Sequence, residues 1–225
     1  MPQQNPGKRY SRTVTYKQIE EFIQEYPFMS IRPSKGSCII LEGKFWFRVT
    51  TQKQETVEDD YLLRISIPQI FPKDLPSVCE LESRIPRDGN HHINPDGTLC
   101  LGSPLRLLSI IQNDPTVKGF AINCLEPFLL AVTMKLRGRE QFEYGELAHG
   151  SDGIISDYAC LLKLNHPSQV IAAIRLLCLK KRIANKKQCP CGCKRRLGAC
   201  YFHKRLNQFR TMASPSWFKK YSIPC

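Results

Sequence analysis

Cys100 closes the run Asn90-His91-His92-Ile93-Asn94-Pro95-Asp96-Gly97-Thr98-Leu99-Cys100, whose residue types can perform thiol chemistry. A cysteine just beyond a Pro-Asp-Gly turn suits an exposed nucleophile. Imidazole can receive a proton or hold a thiolate, and side-chain amides can donate to an oxyanion. Cys100 is therefore the candidate nucleophile, with His92, His91 and Asn94 as its candidate assistants. Spacing does not rank His92, Asn94 and Asn90 as oxyanion donors. His91 either takes the proton of an attacking amine or holds the loop. The competing reading is structural: cysteines are commonly buried small hydrophobes, loop histidines commonly satisfy hydrogen bonds, and Asp88 and Asp96 cap turns.

A second cluster lies near the other end. Cys189-Pro190-Cys191-Gly192-Cys193, then Cys200 and His203, puts soft ligands and an imidazole in one short segment, as a tetrahedral zinc site requires. Cys-Pro-Cys-Gly, a basic spacer, Cys and a nearby His resemble the SEC-C zinc knuckle. That resemblance implies Cys189, Cys191, Cys200 and His203 as ligands of a structural Zn2+. Cys193 is the spare, able to replace Cys191 in another geometry. Around the cluster, Lys194, Arg195, Arg196, Lys204, Arg205 and Arg210 interleave with Tyr201, Phe202 and Phe209. Such a set can grip phosphates and stack bases, or dock a protein; a protein partner is the preferred reading, with nucleic acid the alternative.

Several elements must position these residues. Ile19, Phe22 and Ile23 recur at helical spacing within Thr13 to Tyr26, and Pro27 ends that helix. Strand patterns follow at Ser37 to Glu42, at Lys44 to Thr51 with Phe45, Phe47 and Val49 alternating against Trp46, Arg48 and Thr50, and at Tyr61 to Ile67. Pro68, Pro72 and Pro76 lead to a fourth strand near Val78 to Leu81, which predicts an antiparallel meander. Residues 84–104 have no periodicity, as expected of a functional loop. Helices are expected over Phe120 to Leu136, Ile154 to Leu164 and Ser168 to Ile183, with His166-Pro167 as a break and Ser168 as an N-cap.

Composition bounds the rest. The chain has 225 residues, 42% hydrophobic and 24% charged, enough for a real core. Its net charge of +13 is unevenly placed: residues 158–225 hold 15 Lys or Arg and no acid. The remaining 18 basic residues face all 20 acidic ones. No apolar run approaches a membrane span, and the start lacks the apolar centre of a signal peptide. A soluble, cytoplasmic protein with no membrane partner is expected. Among the 11 cysteines, Cys38, Cys79, Cys124, Cys160 and Cys178 lie singly among apolar neighbours, as core thiols do.

Helix, four-stranded meander, long loop with a cysteine, then helices: this order resembles the ubiquitin-conjugating enzyme fold, an α+β class. Ile67-Pro68 through Phe71-Pro72-Lys73-Asp74-Leu75-Pro76 is similar to the proline-rich stretch after the third strand of that family. Asp96-Gly97-Thr98-Leu99-Cys100-Leu101 is similar to its turn and nucleophile. Counting back, Asn90, His91 and His92 fall where His, Pro and Asn stand in the family, so the oxyanion asparagine is His92 here. The resemblance covers roughly residues 13–136. Double-histidine variants resemble bacterial members encoded in antiphage (CBASS) operons beside a nucleotidyltransferase that makes cyclic oligonucleotides.

The resemblance implies a thioester carrier. Cys100 would hold the C-terminal glycine of a ubiquitin-like protein or of the nucleotidyltransferase (CD-NTase) and pass it to an amine. No ATP-binding glycine loop occurs, so a separate activating enzyme is expected. Two competing readings are a non-catalytic regulatory module that binds a partner, and a cysteine hydrolase using His91 or His92. The expected organisation is a flexible terminus at 1–12, a catalytic domain at 13–136, a helical extension at 137–184, a zinc knuckle at 185–210 and a basic aromatic tail at 211–225.

Overall fold

Leu41, Phe45 and Phe47 point inward from a strand longer than the sequence pattern suggests. The computed structural model describes residues 13–51, 54–138 and 150–222. Within these, β1 (Met29–Arg32), β2 (Cys38–Thr50), β3 (Thr56–Pro68) and β4 (Ser77–Glu80) form one antiparallel sheet in the order β1-β2-β3-β4. The meander is as expected, but its strands are counted differently. Gly43, which falls between the first two expected strands, is an interior residue of β2 paired with Leu63 of β3 and Met29 of β1. A side chain there would meet the Phe28 carbonyl at 2.1 Å, so glycine permits the close approach of β1. β1 itself was not expected. It has four residues with only Met29 buried, too short to show alternation.

Helix α1 (Tyr16–Glu25) starts at Thr15, whose hydroxyl accepts from the Gln18 N–H at 3.3 Å, and buries Ile19 and Phe22 against the sheet. After β4 the chain runs through a 3-10 turn (Gly89–His91) to α2 (Pro104–Ile111). A continuous helical run follows: α3 (Val117–Phe120), a π-helical turn (Ala121–Leu125) and α4 (Glu126–Leu136). This 20-residue run is long and apolar enough to cross a membrane, contrary to the expectation that no such run exists, but 72% of its apolar window is buried inside the protein. It is the helix that covers the sheet. Thr133 joins it to β3 through a 2.8 Å hydrogen bond with the Tyr61 hydroxyl.

The chain ends in α5 (Gly150–Leu162), α6 (Pro167–Leu177), α7 (Lys181–Ala184), a 3-10 turn (Leu197–Ala199), α8 (Phe202–Met212) and α9 (Pro215–Lys220). The helix expected over Ser168 to Ile183 is thus two, and its N-cap is His166 rather than Ser168. Pro167 takes the first helical position, and the Gln169 side chain accepts from the His166 N–H at 3.3 Å.

Among the described residues two apolar cores result. One joins the sheet to α1 and the α3–α4 run. The other joins α5, α6, α8, α9 and the cysteine segment. α2 belongs to both: Leu107 and Ile111 face the sheet core, Leu105 and Leu108 the second core. Residues of the expected extension, knuckle and tail share the second of these cores. Trp217 and Phe218 of the expected tail are buried in the second core. The Lys220 ammonium (3.0 Å) and the Tyr221 hydroxyl (3.1 Å) reach Asp74 in the proline-rich connection. The flexible terminus expected at 1–12, and residues 223–225, lie outside the described residues.

Candidate functional site

The stretch before Cys100 is a small hairpin. Asp96 accepts from the Thr98 N–H (3.0 Å) and hydroxyl (2.6 Å), and Gly97 takes a positive φ of 83°. Those Thr98 bonds hold the Asp96 carboxyl below the usual carboxylate range. The Asn94 N–H donates to the Thr98 carbonyl at 2.8 Å, and the Asn94 amide donates to the Thr98 hydroxyl at 3.0 Å. Ile93 pairs with Leu99, and the return arm docks on β4 through a Thr98–Cys79 bridge and a Leu99 N–H to Val78 carbonyl bond of 2.8 Å. The hairpin thus prolongs the sheet beyond β4 by one short rung.

Cys100 leaves this rung half-buried, its N–H donating to the His92 carbonyl at 2.7 Å. Burial pushes the Cys100 thiol up, and the Gly102 N–H draws it partly back down. The expected assistants divide. Asn94 is committed to the turn. His91 is committed to Asp88: its Nδ1 lies 2.7 Å from the carboxylate, and its N–H donates to the same oxygen at 2.9 Å. The contact with His91 holds the Asp88 carboxyl below its usual range. His92 has a left-handed backbone (φ 55°), which joins its carbonyl to Cys100. The Asn90 carbonyl receives the Lys135 ammonium at 2.7 Å.

Just past Cys100 lies a clamp that the sequence reading did not contain. Ser103 N-caps α2, and its hydroxyl donates to the buried Asp157 carboxylate of α5. Arg106, one turn into α2, donates to the other oxygen of Asp157, with Nε at 2.7 Å. The next residue, Tyr158, accepts the Leu105 N–H on its hydroxyl at 3.3 Å. One signal existed: Asp157 occupies the apolar stripe of a helix alongside Ile154, Tyr158 and Leu161, where a carboxylate needs a partner.

The second site gathers Cys189, Cys191, Cys193 and Cys200, whose sulfurs lie within 4.8 Å of one another and could hold a metal ion. A short antiparallel pairing builds it. Gln188 bridges Arg196, the Cys189 N–H donates to the Arg195 carbonyl (2.9 Å), and the Leu197 N–H donates to the Lys187 carbonyl (2.8 Å). Gly192 (φ 85°) and Lys194 (φ 59°) turn the chain so that three cysteines face one point. The Phe202 N–H points at the Cys200 sulfur at 3.5 Å. Sulfur separations are 3.2 Å for Cys189–Cys191 and 3.6 Å for Cys191–Cys200. Metal–sulfur bonds of about 2.3 Å put tetrahedral sulfurs about 3.8 Å apart, so the donor set fits a metal.

This set differs from the expected one. Cys193 lies among the four gathered sulfurs, and the His203 ring is not among the groups gathered with them. His203 starts α8 with its Nδ1 2.6 Å from the Cys200 carbonyl, an oxygen that can only accept, so that ring nitrogen carries a proton. Of the cysteines expected in the core, Cys124 is buried, with its thiol pushed up to about 12. Cys160 is exposed, and Cys38, Cys79 and Cys178 are half-buried.

The basic and aromatic residues around the cluster divide: Tyr201 is exposed with the Lys204 ammonium 4.7 Å from its ring centre, and Lys194, Arg195 and Arg196 are exposed. Phe209 is buried. Arg210 donates to the Leu176 (2.6 Å) and Leu179 (2.7 Å) carbonyls at the end of α6, and Arg205 to the Leu161 carbonyl at 3.4 Å. No family model, curated protein or solved structure matches the chain.

Proposed function

We propose that the chain is a ubiquitin-conjugating-like thioester carrier in which Cys100 holds the C-terminal glycine of a partner protein. The observation that carries this reading is the seat of Cys100: half-buried, at the exit of a hairpin that prolongs a four-stranded meander, with α2 clamped three residues on. The order of elements supports the fold resemblance drawn from the sequence.

Thiol chemistry favours a carrier over a hydrolase. Burial raises the Cys100 thiol, so little thiolate exists near neutrality. A hydrolase needs a nucleophile activated by an adjacent base, and the Cys100 thiol is raised rather than lowered. A carrier receives an acyl group already activated elsewhere. The Cys100 sulfur attacks that carbonyl carbon, the S–C bond forms, and the activating group leaves. An amine nitrogen then attacks the thioester carbon. The resulting oxyanion collapses, the C–S bond breaks, and the sulfur departs with a proton. His92 is the residue assigned to donate to that oxyanion, a contact worth about 3 kcal/mol in transition-state stabilisation when preorganised. A ubiquitin-like protein or a nucleotidyltransferase supplies the glycine, a separate enzyme activates it, and bacterial antiviral defence is the setting.

Cys189, Cys191, Cys193 and Cys200 would hold one Zn2+, an ion suited to four thiolates. Its contribution is to the folding of the C-terminal segment.

Intact-mass spectrometry of the full chain isolated from cells without reductant tests the reading. A reductant-sensitive acyl adduct on Cys100, lost in Cys100→Ala, is the expected result. An adduct that persists in Cys100→Ala overturns it. Turnover to free acid identifies a hydrolase, and tight partner binding without an adduct identifies a regulatory module.

A further inference from the structure

The basic side chains around the cysteine cluster have an arrangement independent of the thioester reading. Eight Lys or Arg fall between positions 180 and 196: Lys180, Lys181, Arg182, Lys186, Lys187, Lys194, Arg195 and Arg196. All eight are exposed. No acid occurs anywhere from 158 to 225. The ion pairs among the described residues lie elsewhere, on the sheet, α1, the hairpin, the α2–α5 clamp and the Lys220–Asp74 contact.

Their backbone is fixed. Lys186 and Lys187 enter one arm of the pairing and Arg195 and Arg196 leave by the other, held by the Gln188–Arg196 bridge and the Leu197–Lys187 hydrogen bond. α7 sets Lys181 and Arg182 directly before the first arm. Arg182, Ile183, Lys186 and Lys187 line an open cleft of about 330 Å³. A divalent ion with four thiolates would carry a charge of about −2, so balancing it leaves most of the eight cations without a counterpart.

We infer that this face binds the sugar-phosphate backbone of nucleic acid without reading sequence. A protein partner of ordinary affinity needs an apolar or aromatic centre in the interface. Between 180 and 196 the only exposed large hydrophobic is Ile183. Phosphates need no such centre, only cations on a preorganised frame. Base stacking is at most a minor part of the grip: Phe209, Trp217 and Phe218 are buried, Arg205 and Arg210 are spent on helix carbonyls, and Tyr201 is the exposed ring beside the cluster.

Fluorescence anisotropy of the full chain with short labelled duplex DNA, single-stranded DNA and single-stranded RNA tests this. Five phosphate contacts on duplex DNA predict a roughly 500-fold loss of affinity between about 50 and 200 mM salt, with little dependence on base sequence. The strongest of the three probes names the source of the phosphates. Arg182→Ala/Lys186→Ala/Lys187→Ala/Arg196→Ala is expected to weaken binding at least tenfold and flatten the salt slope. Arg182→Lys/Arg196→Lys should keep both. Removing four cations from the opposite half, Lys17→Ala/Lys35→Ala/Lys44→Ala/Arg48→Ala, should leave affinity within about twofold. No binding at low salt, equal loss in the two quadruple variants, or competition by polyglutamate as effective per charge as by nucleic acid would each overturn the inference, the last in favour of an acidic protein.

Discussion

The Asp157 carboxylate on α5 receives the Arg106 guanidinium of α2, with Nε at 2.7 Å, while Ser103 at the helix cap donates to its other oxygen. This contact ties the first turn after Cys100 to the C-terminal half.

Asp157→Ala leaves the Ser103 hydroxyl and the inner face of Arg106 without an acceptor. A stability loss of about 2 kcal/mol is expected, read as a lowered urea midpoint with unchanged slope. Asp157→Asn retains an acceptor oxygen and should lose less. Equal losses in the two variants would show that the carboxylate contributes packing alone.

The cysteine cluster separates two ligand sets. Cys193→Ser should lower metal affinity at least tenfold, as Cys189→Ser does. His203→Ala should keep one metal per chain. Metal analysis after gel filtration distinguishes them, and loss of metal in His203→Ala with retention in Cys193→Ser would restore the set expected from sequence. Chelation of the full chain should unfold the segment around residues 185–200 and open the Lys187–Gln188 bond to trypsin.

Burial raises the Cys100 and Cys124 thiols, the latter to about 12. Alkylation of Cys100 should therefore keep accelerating above the ordinary thiol midpoint of about 8.5. For stability the sign follows from proton binding. Between about pH 8.5 and 12 the folded chain keeps the Cys124 proton and the unfolded chain releases it. Stability is thus full below about pH 8.5 and falls as pH rises, by at most about 1.4 kcal/mol per pH unit for this group. Cys124→Ala should flatten that alkaline slope in denaturation curves.

The two histidines should behave differently. His91→Ala removes the hydrogen bond to Asp88, lowering stability by about 1 kcal/mol with charging and transfer reduced together. His92→Ala is expected to slow aminolysis more than thioester charging, by about a hundredfold at most. Single-turnover charging and discharge assays separate the steps, and equal losses in both would reduce His92 to a loop residue.

Much of the architecture was legible because it depends on period-two and helical patterning: β2, β3, α1 and the α3–α4 run each bury an apolar face that shows in the residue order. Gly43 misled because a lone glycine between two alternating runs marks either a turn or a close backbone approach, and only the partner strand decides. The Trp217–Phe218 pair misled because its burial depends on α6 and α8, which the local sequence does not reveal. Cys100 and the cysteine cluster stood out through residue type and spacing. The inclusion of Cys193 in the sulfur cluster did not, because it turns on Gly192 and Lys194 adopting left-handed conformations. The Ser103–Asp157 contact spans 54 positions, a distance over which no local pattern speaks.

Since α2 seals both interiors, neither half is a transplantable part. A gene cut after Arg137 would leave Leu105 and Leu108 as a greasy seam on the outside of the sheet half, and that fragment should self-associate rather than circulate as a monomer. Damage at the far end of the polypeptide then has a short mechanical route to the Cys100 sulfur, whose nearest helix would have lost its anchor.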